Sequence, residues 1–115
     1  PPPTTGLEDE FLKKLREAIG PRMGEPNLAA DDISRTIGMS RSVLYAKLTA
    51  LTGLSFNIYL RSLRLRRAQE LLKNPDMNVS EVAYEVGFND PRYFIRVFSE
   101  EFGVPPGEWR KGKPV

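Results

Sequence analysis

Two stretches of the chain follow one pattern: DISRTIGMSRSVLYAKLTALTGLSF at residues 32–56 and EVAYEVGFNDPRYFIRVFSEEFGVPP at residues 81–106. Each has an acid, an aliphatic, a small residue, two variable positions, an aliphatic, a glycine, a large apolar residue and a polar residue. Apolar residues four apart follow, and a glycine with an aliphatic closes each copy. Gly38 corresponds to Gly87, and the second copy has one more residue before its closing glycine.

This pattern is typical of two helices joined by a tight turn. The first helix ends at the glycine, which supplies the left-handed backbone that the turn needs. The next apolar residue, Met39 or Phe88, anchors the turn, and a polar cap opens the second helix. One copy alone fits a plain helical hairpin as well as a helix-turn-helix, in which the second helix can enter a DNA major groove. Two copies separated by a basic helix favour the helix-turn-helix.

The remaining sequence predicts an all-α fold of about seven helices, because no segment alternates with the period of a strand. The expected boundaries fall at capping or breaking residues. In the first half, an apolar stripe from Phe11 to Ile19 is ended or kinked at Gly20–Pro21, a second helix stops at Gly38 and a third starts after Ser40. A fourth helix is expected from Ser55 to about Lys73, a fifth from Asn78, a sixth from Asp90–Pro91 and a short turn after Pro106.

The composition excludes most catalytic chemistries. The 115 residues contain no cysteine and no histidine. Disulfides, thiolate zinc sites and cysteine nucleophiles are therefore excluded, as are most metalloenzyme and catalytic-triad chemistries. The adjacent acids Asp31–Asp32 and Glu100–Glu101 cannot face each other on a helix, and no glycine-rich phosphate loop is present. We expect neither an enzyme nor a cofactor. No apolar run has the length of a membrane span, and a cytoplasmic location is expected.

Basic residues are concentrated in one part of the chain, although the net charge is only +2. Residues 33–69 contain no acid and seven basic side chains: Arg35, Arg41, Lys47, Arg61, Arg64, Arg66 and Arg67. This distribution indicates a surface for a polyanion, with chance clustering as the alternative.

The chain resembles the DNA-binding domain of AraC/XylS-type transcription regulators over about residues 8–111. The residues that carry the resemblance are Gly38-Met39-Ser40, Gly53-Leu54-Ser55, Arg64-Leu65, Ala68, Leu71-Leu72, Val82-Ala83, Gly87-Phe88, Tyr93-Phe94, Arg96, Phe98, Phe102-Gly103, Pro106 and Trp109-Arg110. The sequence is also similar to the output domains of hybrid two-component regulators from gut Bacteroidetes.

The resemblance implies a domain plan and a set of partners. The expected segments are residues 1–7 as a linker or cut edge, 8–54 as the first helix-turn-helix subdomain, 55–74 as a linker helix, 75–111 as the second subdomain and 112–115 as a tail. Double-stranded DNA is the expected partner, with RNA polymerase as a further one and no small-molecule ligand in this domain. Dimerisation and any kinase activity are expected in other parts of a longer parent protein.

In the first half, the recognition helix is expected at about residues 41–52, with Leu44, Leu48 and Leu51 facing the core. The candidate DNA contacts lie on its other faces: Arg41, Ser42, Tyr45, Ala46, Lys47 and Thr49. In the family, the position of Ala46 often holds a base-reading arginine, whereas alanine offers only a methyl group to thymine. For Tyr45, half-buried packing with a wet hydroxyl is the alternative to base contact.

In the second half, the recognition helix is expected at about residues 91–102. Its buried stripe is expected to be Phe94, Val97, Phe98 and Phe102, with Tyr93 beside it. The candidate DNA contacts are Asn89, Arg92, Ile95 and Arg96. The resemblance places Arg96 at a DNA-contacting position, where it contacts either a guanine edge or a phosphate.

The linker helix is expected to act as a spacer between the two halves. About eighteen residues at about 1.5 Å each span roughly 27 Å, against about 34 Å between successive major grooves on one DNA face. In the family the arginine matching Arg64 is usually structural, which makes Arg61 the better candidate for a phosphate contact. A helical module that binds only proteins remains the alternative function.

Overall fold

The structure, a computed structural model, describes residues 6–112, without the side chains of residues 7–9. Within these residues the chain is helical and has no strand, which confirms the all-α prediction. The seven α-helices are α1 (Gly6–Ile19), α2 (Ala30–Ile37), α3 (Arg41–Thr52), α4 (Phe56–Leu71), α5 (Val79–Glu85), α6 (Pro91–Phe102) and α7 (Pro106–Arg110), with a 3₁₀ turn at Gly20–Arg22 after α1.

Two compact units share the chain. Of the described residues, the first unit contains 6–23 and 27–61, and the second contains 24–26 and 62–112. Helix α4 therefore contributes its first six residues to the first unit and the rest to the second.

Both helix-turn-helix turns have the same hydrogen bonds. Gly38 and Gly87 have φ angles of 69° and 101°, in the left-handed region that favours glycine. The amide of Met39 donates to the carbonyl of Ser34 at 3.0 Å, and the amide of Phe88 donates to that of Ala83 at 2.9 Å, in each case reaching back five residues. The predicted duplication is thus a duplication of backbone geometry.

Side-chain caps begin the helices at the predicted residues. Ser40 Oγ accepts from the Val43 amide at 3.2 Å at the start of α3, and Asp90 Oδ1 accepts from the Arg92 amide at 2.9 Å at the start of α6. At α5, Asn78 and Glu81 form the predicted reciprocal capping box. Because these caps satisfy amides that lack a helical partner, they fix where each helix begins.

Each unit has its own apolar core. The buried residues of the first are Phe11, Leu15, Ile19, Leu28, Ile33, Leu44, Leu48, Phe56, Tyr59 and Leu60. Those of the second are Leu65, Ala68, Leu72, Val82, Ala83, Val86, Phe88, Phe94, Val97 and Phe98. The predicted core positions on α3 and α6 are buried, except that Leu51 and Phe102 are half-buried.

Aromatic rings form a continuous series through the second core. The ring centroids of Phe88 and Phe94 are 5.2 Å apart, those of Phe94 and Phe98 are 5.6 Å apart, and Phe98 meets Phe102 edge-on at 4.6 Å. Tilted and edge-to-face pairs at these distances add to the stabilisation from burial. The phenylalanines around Arg92 and Arg96 are therefore explained by packing.

Two helix ends differ from the expectation. Helix α4 ends at Leu71, not at about Lys73, because the amides of Lys73 and Asn74 donate to carbonyls three residues back and tighten the chain before Pro75. Helix α1 begins at Gly6, inside the segment 1–7 expected as a linker. The other expected linker residues before it, 1–5, and the tail residues 113–115 lie outside the described residues.

Two arginines join distant segments within the second unit. The Arg64 guanidinium, which is buried, donates to the Glu25 carbonyl at 2.6 Å. Burial lowers the pKa of Arg64 below its ordinary value, but a guanidinium remains charged at neutral pH. Arg110 donates to the carbonyls of Leu72, Asn74 and Met77, and so holds the loop between α4 and α5 against α7. The structural role expected for Arg64 matches this contact.

We expect Arg110→Ala to lower the free energy of unfolding by about 1–3 kcal/mol, because it leaves partly buried carbonyls without their donor. Urea denaturation monitored by circular dichroism measures the change. Lys111→Ala is the matched control, since the neighbouring Lys111 is exposed and only forms a 3.5 Å ion pair with Glu108; its effect should stay within about 0.5 kcal/mol. Equal unfolding midpoints for the two variants would contradict this role.

Candidate nucleic-acid interface

All six residues predicted on α3 are exposed. Leu44 and Leu48 on the same helix are buried. The exposed residues are Arg41, Ser42, Tyr45, Ala46, Lys47 and Thr49. Tyr45 is 60% exposed, so the alternative of half-buried packing does not describe it.

A pocket of about 310 Å³ opens beside α3 in the first unit. Its apolar wall consists of Ala30, Leu44 and Phe56, and its polar rim consists of three predicted contact residues: Arg41, Ser42 and Tyr45. Arg41 lies 3.5 Å from the Asp31 carboxylate, with both side chains exposed. The rim therefore presents two hydroxyl groups and a guanidinium with a carboxylate neighbour.

Lys47 lies on a different side of α3. Its ammonium is 5.7 Å from the centroid of the Phe11 ring, a cation–π distance, and it borders a second pocket with Glu10 and Lys14. The structure therefore brings Arg41, Ser42 and Tyr45 together and leaves Lys47 apart from them.

The four residues predicted around α6 are also exposed. Asn89 precedes the helix cap, and Arg92, Ile95 and Arg96 follow along the helix, opposite the buried Phe94 and Phe98. Arg92 Nε lies 3.5 Å from Asp90 Oδ1, and the Arg92 side chain is 93% exposed. This face therefore presents two guanidinium groups, one amide and one aliphatic side chain.

Arg96 is positioned by two neighbours on its own helix. Its Nη1 lies 3.7 Å from Glu100 Oε2, and its Cζ lies 5.1 Å from the centroid of the Tyr93 ring. Tyr93 is 38% exposed, so its ring both borders the core through Phe88, at 6.0 Å, and supports the guanidinium. Tyr93 was predicted beside the buried stripe, but its contact with Arg96 was not predicted.

Arg61 and Arg64 differ in burial on α4. Arg61 is half-buried near the middle of the helix, whereas Arg64 is almost fully buried and bonds to a main-chain carbonyl. The phosphate contact of Arg61 stays a prediction, whereas the Arg64 guanidinium is bonded to the main chain.

Three of the predicted contact arginines on α3 and α6 have a carboxylate neighbour that was not predicted. Asp31, Asp90 and Glu100 each lie within 3.7 Å of a predicted contact arginine. For Glu100 the signal was present, since residues four apart on a helix are neighbours, as are the three-apart residues Tyr93 and Arg96. For Asp31 no local spacing gives the contact, because it joins two helices across the turn.

Two aspartates near the recognition helices have lowered pKa values. The Arg92 amide, donating to Asp90, is the main cause at α6, and the Arg92 charge adds to it. The Ala29 amide, donating to Asp32 at 2.9 Å, is the main cause at α2, with the charges of Arg22 and Arg35 contributing. Both carboxylates are therefore ionised at neutral pH.

Among the side chains that the structure describes, those of residue 6 and residues 10–112, no group of three or more acidic, histidine or cysteine side chains is arranged to hold a metal ion. In the same part of the chain, the helices lack the combination of length and apolarity that crossing a bilayer requires.

Residues 33–112 match a family of helix-turn-helix domains, and the chain belongs to this AraC-type family. Histidine kinase P4 from Formosa agariphila is 29% identical over 92% of this chain and 8% of that protein. The HTH-type transcriptional activator RhaR from Klebsiella pneumoniae is 33% identical over 95% of this chain and 38% of that protein. The chain thus spans well under half the length of these relatives.

Two solved structures share the fold. A DNA-binding transcriptional dual regulator from Escherichia coli K-12 has a TM-score of 0.81 and 25% identity, covering 88% of this chain and 89% of that one. The DNA-binding domain of AdpA, solved in complex with a target DNA, has a TM-score of 0.75 and 25% identity, covering 89% of this chain and 90% of that one. The family resemblance found in the sequence is confirmed.

The carboxylate that caps α6 should make the stability of the folded protein depend on pH. Because the pKa of Asp90 is lowered in the folded protein, its contribution is present above its ordinary pKa and is lost as pH falls through the folded value. Asp90→Asn keeps an oxygen acceptor for the Arg92 amide but does not titrate. Thermal melts between neutral pH and about pH 3 should therefore show a smaller acid-induced fall in Tm for this variant than for the wild type.

Asp76→Asn makes the same change of charge at an exposed loop position and is the control. Equal acid sensitivity of the wild type and Asp90→Asn would contradict the role of the carboxylate as the cap.

Proposed function

We propose that the chain is a sequence-specific double-stranded DNA-binding domain of a transcription regulator, in which α3 and α6 enter successive major grooves. The observation that carries the proposal is the repeated turn at Gly38 and Gly87. Each copy gives a capped helix with its apolar stripe buried and its polar face exposed. An α-helix fits the major groove of B-DNA, where the base edges can be read.

The comparisons support this function. RhaR is named a transcriptional activator, and the AdpA domain was solved with a target DNA. The alternative, a helical module that binds only proteins, accounts less well for an acid-free stretch of 37 residues with seven basic side chains (residues 33–69).

On α6, Arg96 is proposed as the principal base reader. Arginine can donate two parallel hydrogen bonds to O6 and N7 of guanine. Ile95 is proposed to meet a thymine methyl group, while Arg92 and Asn89, near the start of the helix, contact the backbone or a flanking base.

On α3, the proposed reading is weaker. Ser42 and Tyr45 are the proposed base contacts, Arg41 and Thr49 flank them, and Ala46 adds only a methyl group. Lys47, which lies to one side over Phe11, is proposed to reach a phosphate. Arg61 is the proposed phosphate contact from α4.

The parent protein is proposed to be longer and to supply the signal. Histidine kinase P4, which matches over 8% of its length, supports a hybrid two-component regulator whose kinase activity lies in another part. Dimerisation is proposed to occur outside this chain, RNA polymerase is proposed as a partner, and the location is proposed to be cytoplasmic. The subdomain bounds 8–54 and 75–111, joined by 55–74, remain part of this proposal.

Binding should weaken steeply with salt, because lysine and arginine release counterions when they neutralise phosphates. With about six phosphates neutralised, log K against log salt should have a slope of about −5. Fluorescence anisotropy with duplexes selected from a random pool, and with unselected duplexes, gives both the slope and the specificity ratio. A slope near zero would favour the protein-binding alternative.

Arg61→Ala provides an internal check on the phosphate assignment. It should weaken selected and random duplexes alike and make the slope shallower by about one.

The two halves should read DNA unequally. Ala46 offers about one methyl contact, whereas a bidentate arginine such as Arg96 discriminates by about 1–3 kcal/mol. The selected motif should therefore have a sharp block under α6 and a weaker block about ten base pairs away under α3. Ala46→Arg should tighten binding and add a guanine preference to the weak block.

Ala50→Arg, on the same exposed helix but near its end, is a control for added charge alone. Equally sharp blocks in the wild type, or the same motif before and after Ala46→Arg, would contradict the assignment.

A further inference from the structure

We propose that Glu100 is a specificity-determining residue that acts through Arg96, by disfavouring contact of the Arg96 guanidinium with phosphate and leaving it for a base edge. The inference rests on the proposed function, since it concerns how the same helix chooses between two DNA contacts. Glu100 is a positioning residue in this scheme and need not touch DNA.

The geometry places the guanidinium between a ring and a carboxylate. Tyr93, Arg96 and Glu100 follow at intervals of three and four on α6, so they lie along one side of the helix. Arg96 Nη1 is directed to Glu100 Oε2 at 3.7 Å, and the Tyr93 ring lies 5.1 Å from the Arg96 Cζ. Arg96 and Glu100 are each 64% exposed, so DNA can reach the pair.

The carboxylate affects the two possible DNA contacts differently. A phosphate bears a negative charge, so at Arg96 it meets both an already compensated guanidinium and a repelling Glu100 carboxylate. The guanine edge is neutral and presents O6 and N7 as acceptors. Arginine has five N–H donors, so the fork retains donors for guanine while Nη1 faces Glu100. The carboxylate therefore penalises sequence-independent binding more than base reading.

The first copy of the motif lacks this arrangement. Its corresponding residues are Val43, Ala46 and Ala50, so neither the ring, the arginine nor the carboxylate is present. The three side chains thus occur together in one copy and are absent together from the other. Their joint presence is expected if the carboxylate acts through the arginine, because a carboxylate at that position has no such role where the arginine is missing.

The test is Glu100→Gln, which keeps the size of the side chain and removes its charge. Its affinity for random duplex DNA should rise about two- to fivefold, because the free energy of an exposed ion pair corresponds to a factor of about that size. Its affinity for the selected duplex should change less, so the specificity ratio should fall by a similar factor. The salt slope on random DNA should also become steeper, because Arg96 then neutralises a phosphate.

Two controls separate this effect from a general change of charge. Glu101→Gln makes the same charge change five residues from Arg96, on a different side of α6, and should leave the specificity ratio unchanged. In an Arg96→Ala background, Glu100→Gln should no longer alter the ratio, because coupled residues are not additive. A fall in the ratio that persists without Arg96, or that Glu101→Gln reproduces, would overturn the inference.

Failure of the proposed function gives a different result. If the wild type shows no preference for any selected duplex, both the function and the inference fall. If the wild type is selective and Glu100→Gln keeps its ratio and its slope, the function stands and the inference alone is wrong. Urea midpoints measured on every variant identify any loss of binding that comes from unfolding.

Discussion

The left-handed glycine in each turn is the constraint on which the rest of the structure depends. The left-handed backbone at Gly38 and Gly87 is one that a side chain would disfavour. In this conformation the amide of the next residue reaches a carbonyl five residues back. That bond ends one helix and fixes the direction in which the next one leaves. The large apolar residue after each glycine then lies towards the core, half-buried for Met39 and buried for Phe88. An exposed recognition face follows from this local backbone geometry.

Charge at the interface works against, as well as for, DNA binding. Three of the predicted contact arginines have a carboxylate within 3.7 Å, and all of these side chains are substantially exposed. Exposed ion pairs of this kind add little to stability, at most about 1 kcal/mol. Their consequence lies instead in competition with phosphate, which must approach a guanidinium that is already compensated. Within the acid-free stretch of residues 33–69, Arg35 and Arg41 are each paired with an aspartate, so this stretch overstates the charge available to DNA.

What could be predicted from the sequence was local. The two turns, the caps at Ser40, Asn78 and Asp90 and the buried stripes on α3 and α6 depend on residues within about five positions, and each was predicted. The contacts of Arg64 and Arg110 join residues 39 and up to 38 positions apart, and no periodicity gives them. The same holds for Lys47 over Phe11. Exposure of the candidate site residues follows from helical spacing, whereas their contacts with DNA stay predictions.

The duplication separates what the fold needs from what the interface can vary. The two copies agree at the glycines, at the caps and at the buried positions, Leu44 and Leu48 in one and Phe94 and Phe98 in the other. They differ on the exposed side, where Ala46 of the first copy corresponds to Arg96 of the second. Substitution at exposed helix positions usually changes stability by less than about 0.5 kcal/mol. One backbone unit can therefore carry a strong reader and a weak one, because folding energy and DNA readout reside in different side chains.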